Sequence, residues 1–110
     1  MKNTSEVIFV EVLVFLYKSG LPMDEILERF KRRSDKYRDV KGLLQKLYVQ
    51  DESTGHVGGI YVFDSKDTLD AFKNSDLARS IGETYKFLEP PAIRTLEVVK
   101  VLFEEKGRLI

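Results

Sequence analysis

Cysteine and tryptophan are absent from this chain, and histidine occurs once, at His56. Without cysteine there is no disulfide framework, no thiolate zinc site and no cysteine nucleophile, which fits a cytoplasmic location. A single histidine at a turn beside Gly55 has no second histidine to complete a metal site, so no metal is expected and His56 reads as exposed. An excess of one charge sign is also missing. Eighteen basic residues balance eighteen acidic ones, so no global positive field gathers nucleic acid or an anionic membrane around the protein. A Gly-rich phosphate loop is lacking too, because Gly55, Gly58 and Gly59 have the wrong spacing and precede a strand pattern. Finally, there is no long uninterrupted hydrophobic run. Val7 to Tyr17 is apolar, but Glu11 interrupts it, no small-residue cleavage site follows, and it is too short to span a bilayer. It reads as a buried strand.

What remains is an ordinary folding composition, 43% apolar and 33% charged over 110 residues, enough for one domain spanning residues 1–110. The first strand, Val7 to Tyr17, has two apolar faces: Ile8, Val10, Val12, Val14 and Leu16 on one, Phe9, Glu11, Leu13, Phe15 and Tyr17 on the other. Pro22, placed as a first helical residue, and Asp24 and Glu25 open a helix running to about Asp39, with Met23, Ile26, Leu27, Phe30 and Tyr37 as its apolar stripe. Lys41 to Asp51 and His56 to Phe63 form a hairpin, in which Gly58 and Gly59 mark a bulge or a close backbone approach. Ser65 caps a second helix that breaks near Asn74 and Ser75, resumes at Asp76 and ends at Gly82 in a left-handed conformation. Ile93 to Phe103 alternates as a last strand, and the tail after Glu104 is expected to fray.

The order strand, helix, hairpin, helix, strand is the β-α-β-β-α-β ferredoxin-like α+β pattern with a four-stranded antiparallel sheet. Helices on one face of that sheet leave Val10, Val12, Val14, Ile60 and Val62 on the other. Each such side chain gains roughly 1.5–3 kcal/mol on full burial, so a second copy of the chain is the expected cover, giving a homodimer through the sheet face.

Gly58, Gly59, Ile60, Tyr61, Val62 and Phe63, followed by a serine-containing acidic helix start with Leu69 and Phe72, resemble the YdhR-type mono-oxygenases of the dimeric α/β-barrel superfamily. Lys41, Gly42, Leu43 and Leu44 resemble that family's approach to its second strand, with lysine where proline is usual. The resemblance covers nearly the whole chain by element order. It implies a dimer and a ligand cavity between sheet and helices, lined here by Phe9, Leu13, Phe63 and Phe72. It also implies oxygenation of a small aromatic molecule that uses the substrate's own acidity, with no cofactor. The haem-degrading pattern of the superfamily is absent, since there is no tryptophan and the only asparagines are Asn3 and Asn74.

Two residues carry the expected chemistry. Glu11, a carboxylate amid Phe9, Leu13 and Phe15, is a candidate base if unpaired, or a structural ion-pair partner for Arg94 or Lys100. Tyr61 is a candidate donor to a substrate anion, or a core tyrosine. The run Arg29, Lys31, Arg32, Arg33, Lys36, Arg38 and Lys41 reads as a solvated helix face. The alternative to an enzyme is a non-catalytic ligand-binding or interaction dimer whose cavity is filled by its own Phe and Tyr side chains.

Overall fold

The structure, a computed structural model, describes residues 10–103. Phe9, expected to line the cavity, lies outside the described residues. Strand β1 (Glu11–Tyr17) pairs antiparallel with β3 (Val57–Phe63) on one side and β4 (Ala92–Glu97) on the other, and β2 (Leu43–Gln50) pairs with β3. The sheet order is β2-β3-β1-β4. Helices α1 (Met23–Arg38), α2 (Lys66–Lys73) and the short α3 (Asp76–Arg79) and α4 (Ile81–Thr84) complete the chain. This is the ferredoxin-like α+β fold that the element order predicts.

The strand register sorts the side chains into two faces. Leu13, Phe15 and Tyr17 alternate inward and share their face with Tyr61, Phe63 and Val57. Ile26, Phe30 and Tyr37 of α1 and Leu69 and Phe72 of α2 join them in one core. Leu27, expected in the α1 stripe, is 54% exposed. The buried spacing runs through Ile26, Phe30 and Tyr37, and its fourth position is Arg33, which is half-buried.

Several boundaries follow from local chemistry. Pro22 stands one position before its expected place, as the N-cap of α1, and its carbonyl accepts from the Ile26 N–H at 3.1 Å. Ser65 caps α2 by accepting from the Thr68 N–H, and Ser75 caps α3 by accepting from the Ala78 N–H. Gly82 does not end a helix in the left-handed region. It sits within α4, where its missing side chain admits the Phe87 ring, and Lys86 is the residue that turns left-handed at φ 53°. The last strand stops at Glu97, short of the expected Phe103; Glu97 pairs with Glu11, the first residue of β1, and among the described residues the Val98 N–H continues the ladder to the Val10 carbonyl at 3.1 Å.

The glycine pair marks a close approach, not a bulge. Gly58 lies opposite Leu16, and a Cβ there would fall 1.9 Å from the Phe15 carbonyl oxygen. The irregularity lies on β2, between Leu43 and Gln45. It shifts the alternation, so Lys46 and Tyr48 point to the helix face while Gln45, Leu47 and Val49 point away. That shift builds the site.

Candidate functional site

The C-terminal half of α1 and the strand β2 bound a cleft of about 340 Å³ whose walls include Ser34, Tyr37, Arg38, Leu43, Lys46 and Tyr48. This volume suits a small molecule. Lys46 stands directly across the ladder from Tyr61, which in turn faces Leu13 on β1. Gly59, one step along β3, leaves the room in which the Lys46 stem and the Tyr61 ring lean; a Cβ there would lie 3.2 Å from Lys46 Cε and 3.1 Å from Tyr61 Cε1.

The Lys46 amine ends on a floor of aromatic faces. Its Nζ lies 3.2 Å from the ring centre of Tyr37, 4.3 Å from that of Tyr48 and 4.7 Å from that of Tyr61. Among the described residues no carboxylate forms an ion pair with it. Burial, reinforced by the nearby Arg33 guanidinium, pushes its pKa down to about 7. The three ring faces act in the opposite sense, because each attracts the ammonium form. The amine is therefore able to give up its proton near neutrality and to be held as a cation once it has regained one.

The tyrosines keep their protons. Burial raises Tyr61 far above the ordinary phenol, helped by the proximity of Tyr37 and a hydrogen bond with its hydroxyl. Tyr48 is raised by burial and by Tyr37, while Arg33 and Arg38 pull it back. Tyr85 is pushed up to about 12 by burial, against the pull of Arg33. Arg33 itself donates to Ser80 Oγ at 2.9 Å and lies 6.0 Å from the centre of the Tyr85 ring. Its Nε is buried and has no hydrogen-bond partner among the described residues. Of this cluster, Tyr37, Lys46 and Tyr48 line the cleft together with Arg38, so its wall combines aromatic rings with cationic side chains.

The residues singled out in the sequence fall in three places. Tyr61 joins the lysine cluster, 3% exposed. Leu13, Phe63 and Phe72 lie at 0%, 0% and 4% exposure in the core, with the Phe72 ring tilted against Tyr61 at 5.1 Å and against Phe63 at 5.7 Å between ring centres, and none of the three lines the cleft. Glu11 is half-buried at the end of β1, on the helix face, opposite Phe63 and Glu97, within electrostatic reach of Lys66. It forms no ion pair with Arg94, which pairs with Val14 and so points to the other face. His56 is not exposed as expected: it is half-buried, with Nε2 3.5 Å from Glu89 Oε2. No group of His, Cys, Asp and Glu side chains among the described residues is placed to hold a metal ion, and none of their helices is long and apolar enough to cross a membrane.

The sequence reading missed Lys46, Tyr37, Tyr48 and Arg33. Two signals were present: Leu47 and Val49 share one face of β2 and force Lys46 and Tyr48 to the other, and Arg33 occupies a stripe position of α1.

A four-stranded antiparallel sheet covered on one face by helices, with a lysine–tyrosine cleft under the first of them, defines a small ferredoxin-like α+β protein. Residues 12–88 match the family model described as "Putative mono-oxygenase ydhR". The chain belongs to that family. No curated protein matches it. Similar solved structures include the monooxygenase from the gene ActVA-Orf6 of Streptomyces coelicolor in complex with Nanaomycin D, 16% identical, with 90% of this chain and 94% of that one covered at a TM-score of 0.64. The cofactor-independent oxygenase SnoaB from Streptomyces nogalater is 10% identical, with 87% and 98% covered at 0.66. NE2512 of Nitrosomonas europaea, a protein of unknown function, is 14% identical, with 87% and 95% covered at 0.68. At these identities the likeness is one of fold.

Proposed function

We propose that this protein is a cofactor-independent mono-oxygenase of a small, acidic, aromatic molecule, which it binds in the cleft between α1 and β2. The observation that carries this reading is the Lys46 amine resting on three tyrosine faces at the inner wall of the cleft. A substrate C–H or O–H made acidic by a neighbouring carbonyl or aromatic ring would pass its proton to the neutral amine. The ammonium so formed is stabilised by the ring faces and lies beside the new substrate anion. That anion is the electron donor to dioxygen: a CH₂ group becomes C=O, one oxygen atom is retained, and the other leaves as water. Tyr61, with its ring centre 4.7 Å from Lys46 Nζ, adds one of the faces that hold the ammonium once it has formed.

Glu11 is the second candidate base, favoured by its half-exposed carboxylate on the same sheet face as Tyr61. Oxygen uptake with a panel of anthrones, hydroquinones and 1,3-dicarbonyls, run on Glu11→Gln beside the unaltered chain, assigns the step. Turnover within a few-fold of the parent leaves the base role with Lys46, and its abolition transfers the role to Glu11. A panel that draws no oxygen uptake at all from the parent would remove the oxygenase reading.

The protein is proposed to work as a homodimer. The sheet face turned away from the helices carries Val12, Val14, Leu16, Leu47, Ile60 and Leu96 in adjoining register positions, a contiguous aliphatic surface that a second copy would cover. Val14→Asp is expected to convert a sedimenting dimer to a single subunit with an unchanged circular dichroism spectrum. A parent chain that sediments as a monomer at micromolar concentration would contradict the assembly.

A non-catalytic ligand-binding dimer is the alternative, and one observation favours it: the space between the central strands and α2 is filled by Leu13, Tyr61, Phe63 and Phe72. Ligand binding by the panel with no oxygen consumption is the result that would select it.

A further inference from the structure

The same amine has a second chemical capacity that does not depend on oxygenation. A lysine becomes a nucleophile at neutral pH when it is desolvated or set beside another cation, and Lys46 meets both conditions through its aromatic floor and the neighbouring Arg33. Lys46 lines the cleft on its β2 wall, so a carbonyl compound entering from solvent meets this side chain. No carboxylate among the described residues is paired with it to hold it as an ammonium. The groups around it are Arg33 and Tyr37 from α1, Tyr48 on β2 and Tyr61 on β3, with no carboxylate among them.

We propose that Lys46 is a covalent capture site for small aldehydes, ketones and 1,3-diketones, which it condenses with as an imine. The nitrogen lone pair forms a C–N bond to the carbonyl carbon while the C=O π pair moves to oxygen and takes up a proton. The resulting carbinolamine loses its hydroxyl as water, and the nitrogen gives up its remaining proton to leave C=N; no oxidant or reductant takes part. Both proton transfers are exchanges with water. The aromatic walls suit a planar carbonyl compound, and Arg38, which also lines the cleft, suits one that carries an anionic group.

Pentane-2,4-dione is the probe, because its condensation with an amine yields a conjugated enaminone seen in the near ultraviolet and as a mass gain of one diketone less one water. The full chain is treated at pH 7 and digested with trypsin, which does not cleave after a modified lysine. Lys46 is expected to be modified about tenfold faster than any exposed lysine of the chain, since neutral amine is the reacting form. The preference is expected to vanish in urea, and Lys46→Arg is expected to remove the fast phase while leaving the slow modification of other lysines unchanged. Uniform modification of the lysines in the folded chain, or modification of Lys46 slower than the rest, would overturn the proposal. The readout is taken on the unaltered protein, so it holds whether or not the variant folds, and it is indifferent to oxygen uptake.

Discussion

Lys46→Met is expected to lower oxygen uptake by about 10²–10⁴-fold, the range over which a positioned general base accelerates proton removal. The methionine keeps the length of the lysine stem against Gly59 and the three tyrosine rings but has no group to accept a proton. In the parent, the rate should climb with pH as the amine, whose pKa is pushed down to about 7, loses its own proton, and then level off. Stability gives an independent check of the same shift. The folded value lies below the ordinary 10.5, so between the two the unfolded chain binds more protons than the folded one. The parent is therefore expected to gain stability as pH rises from about 7 toward 10.5, and the methionine variant to lack that gain. Urea unfolding of both proteins at three or more pH values measures the difference, and a constant difference would mean that the amine titrates as an exposed lysine does.

Gly58→Ala should cost at least about 3 kcal/mol, at the upper end of what overpacking does. The added Cβ would sit 1.9 Å from the Phe15 carbonyl oxygen and 3.0 Å from Leu16 Cα. All of these neighbours are backbone, so no side chain can rotate aside; β1 and β3 must separate at the centre of the sheet. Because β3 also carries Tyr61, the separation would disturb the lysine cluster, and a loss of diketone capture should accompany the fall in stability. Gly59→Ala differs in kind, since its Cβ meets the flexible Lys46 stem and the edge of the Tyr61 ring. A Gly58→Ala chain with the parent's unfolding midpoint would show that the two strands are not held this closely.

The strands and helices were legible because their residues carry period-2 and period-3.6 patterns that do not depend on distant partners. Leu13, Phe15 and Tyr17 alternate in β1, and Ile26, Phe30 and Tyr37 repeat along α1. The reading failed where an effect was not local. The alternation of the last strand continues to Phe103, whereas the strand itself is Ala92–Glu97, since alternation alone does not supply a pairing partner. Glu11 drew attention as a charge in an apolar run, yet it sits at the end of β1, half-exposed. Lys46 drew none, because the irregularity between Leu43 and Gln45 interrupts the alternation of β2 and leaves only Leu47 and Val49 to mark its face.

By itself the sequence determined the element order, the two apolar faces of the first strand and the lack of thiol chemistry, all properties of composition and short-range spacing. Only the tertiary structure decided that a lysine from β2, an arginine and a tyrosine from α1 and a tyrosine from β3 gather in one cluster beside the cleft. The reason is electrostatic as well as geometric: a lysine is an ordinary surface cation until strand pairing and helix packing remove its water and replace it with aromatic faces and a second cation.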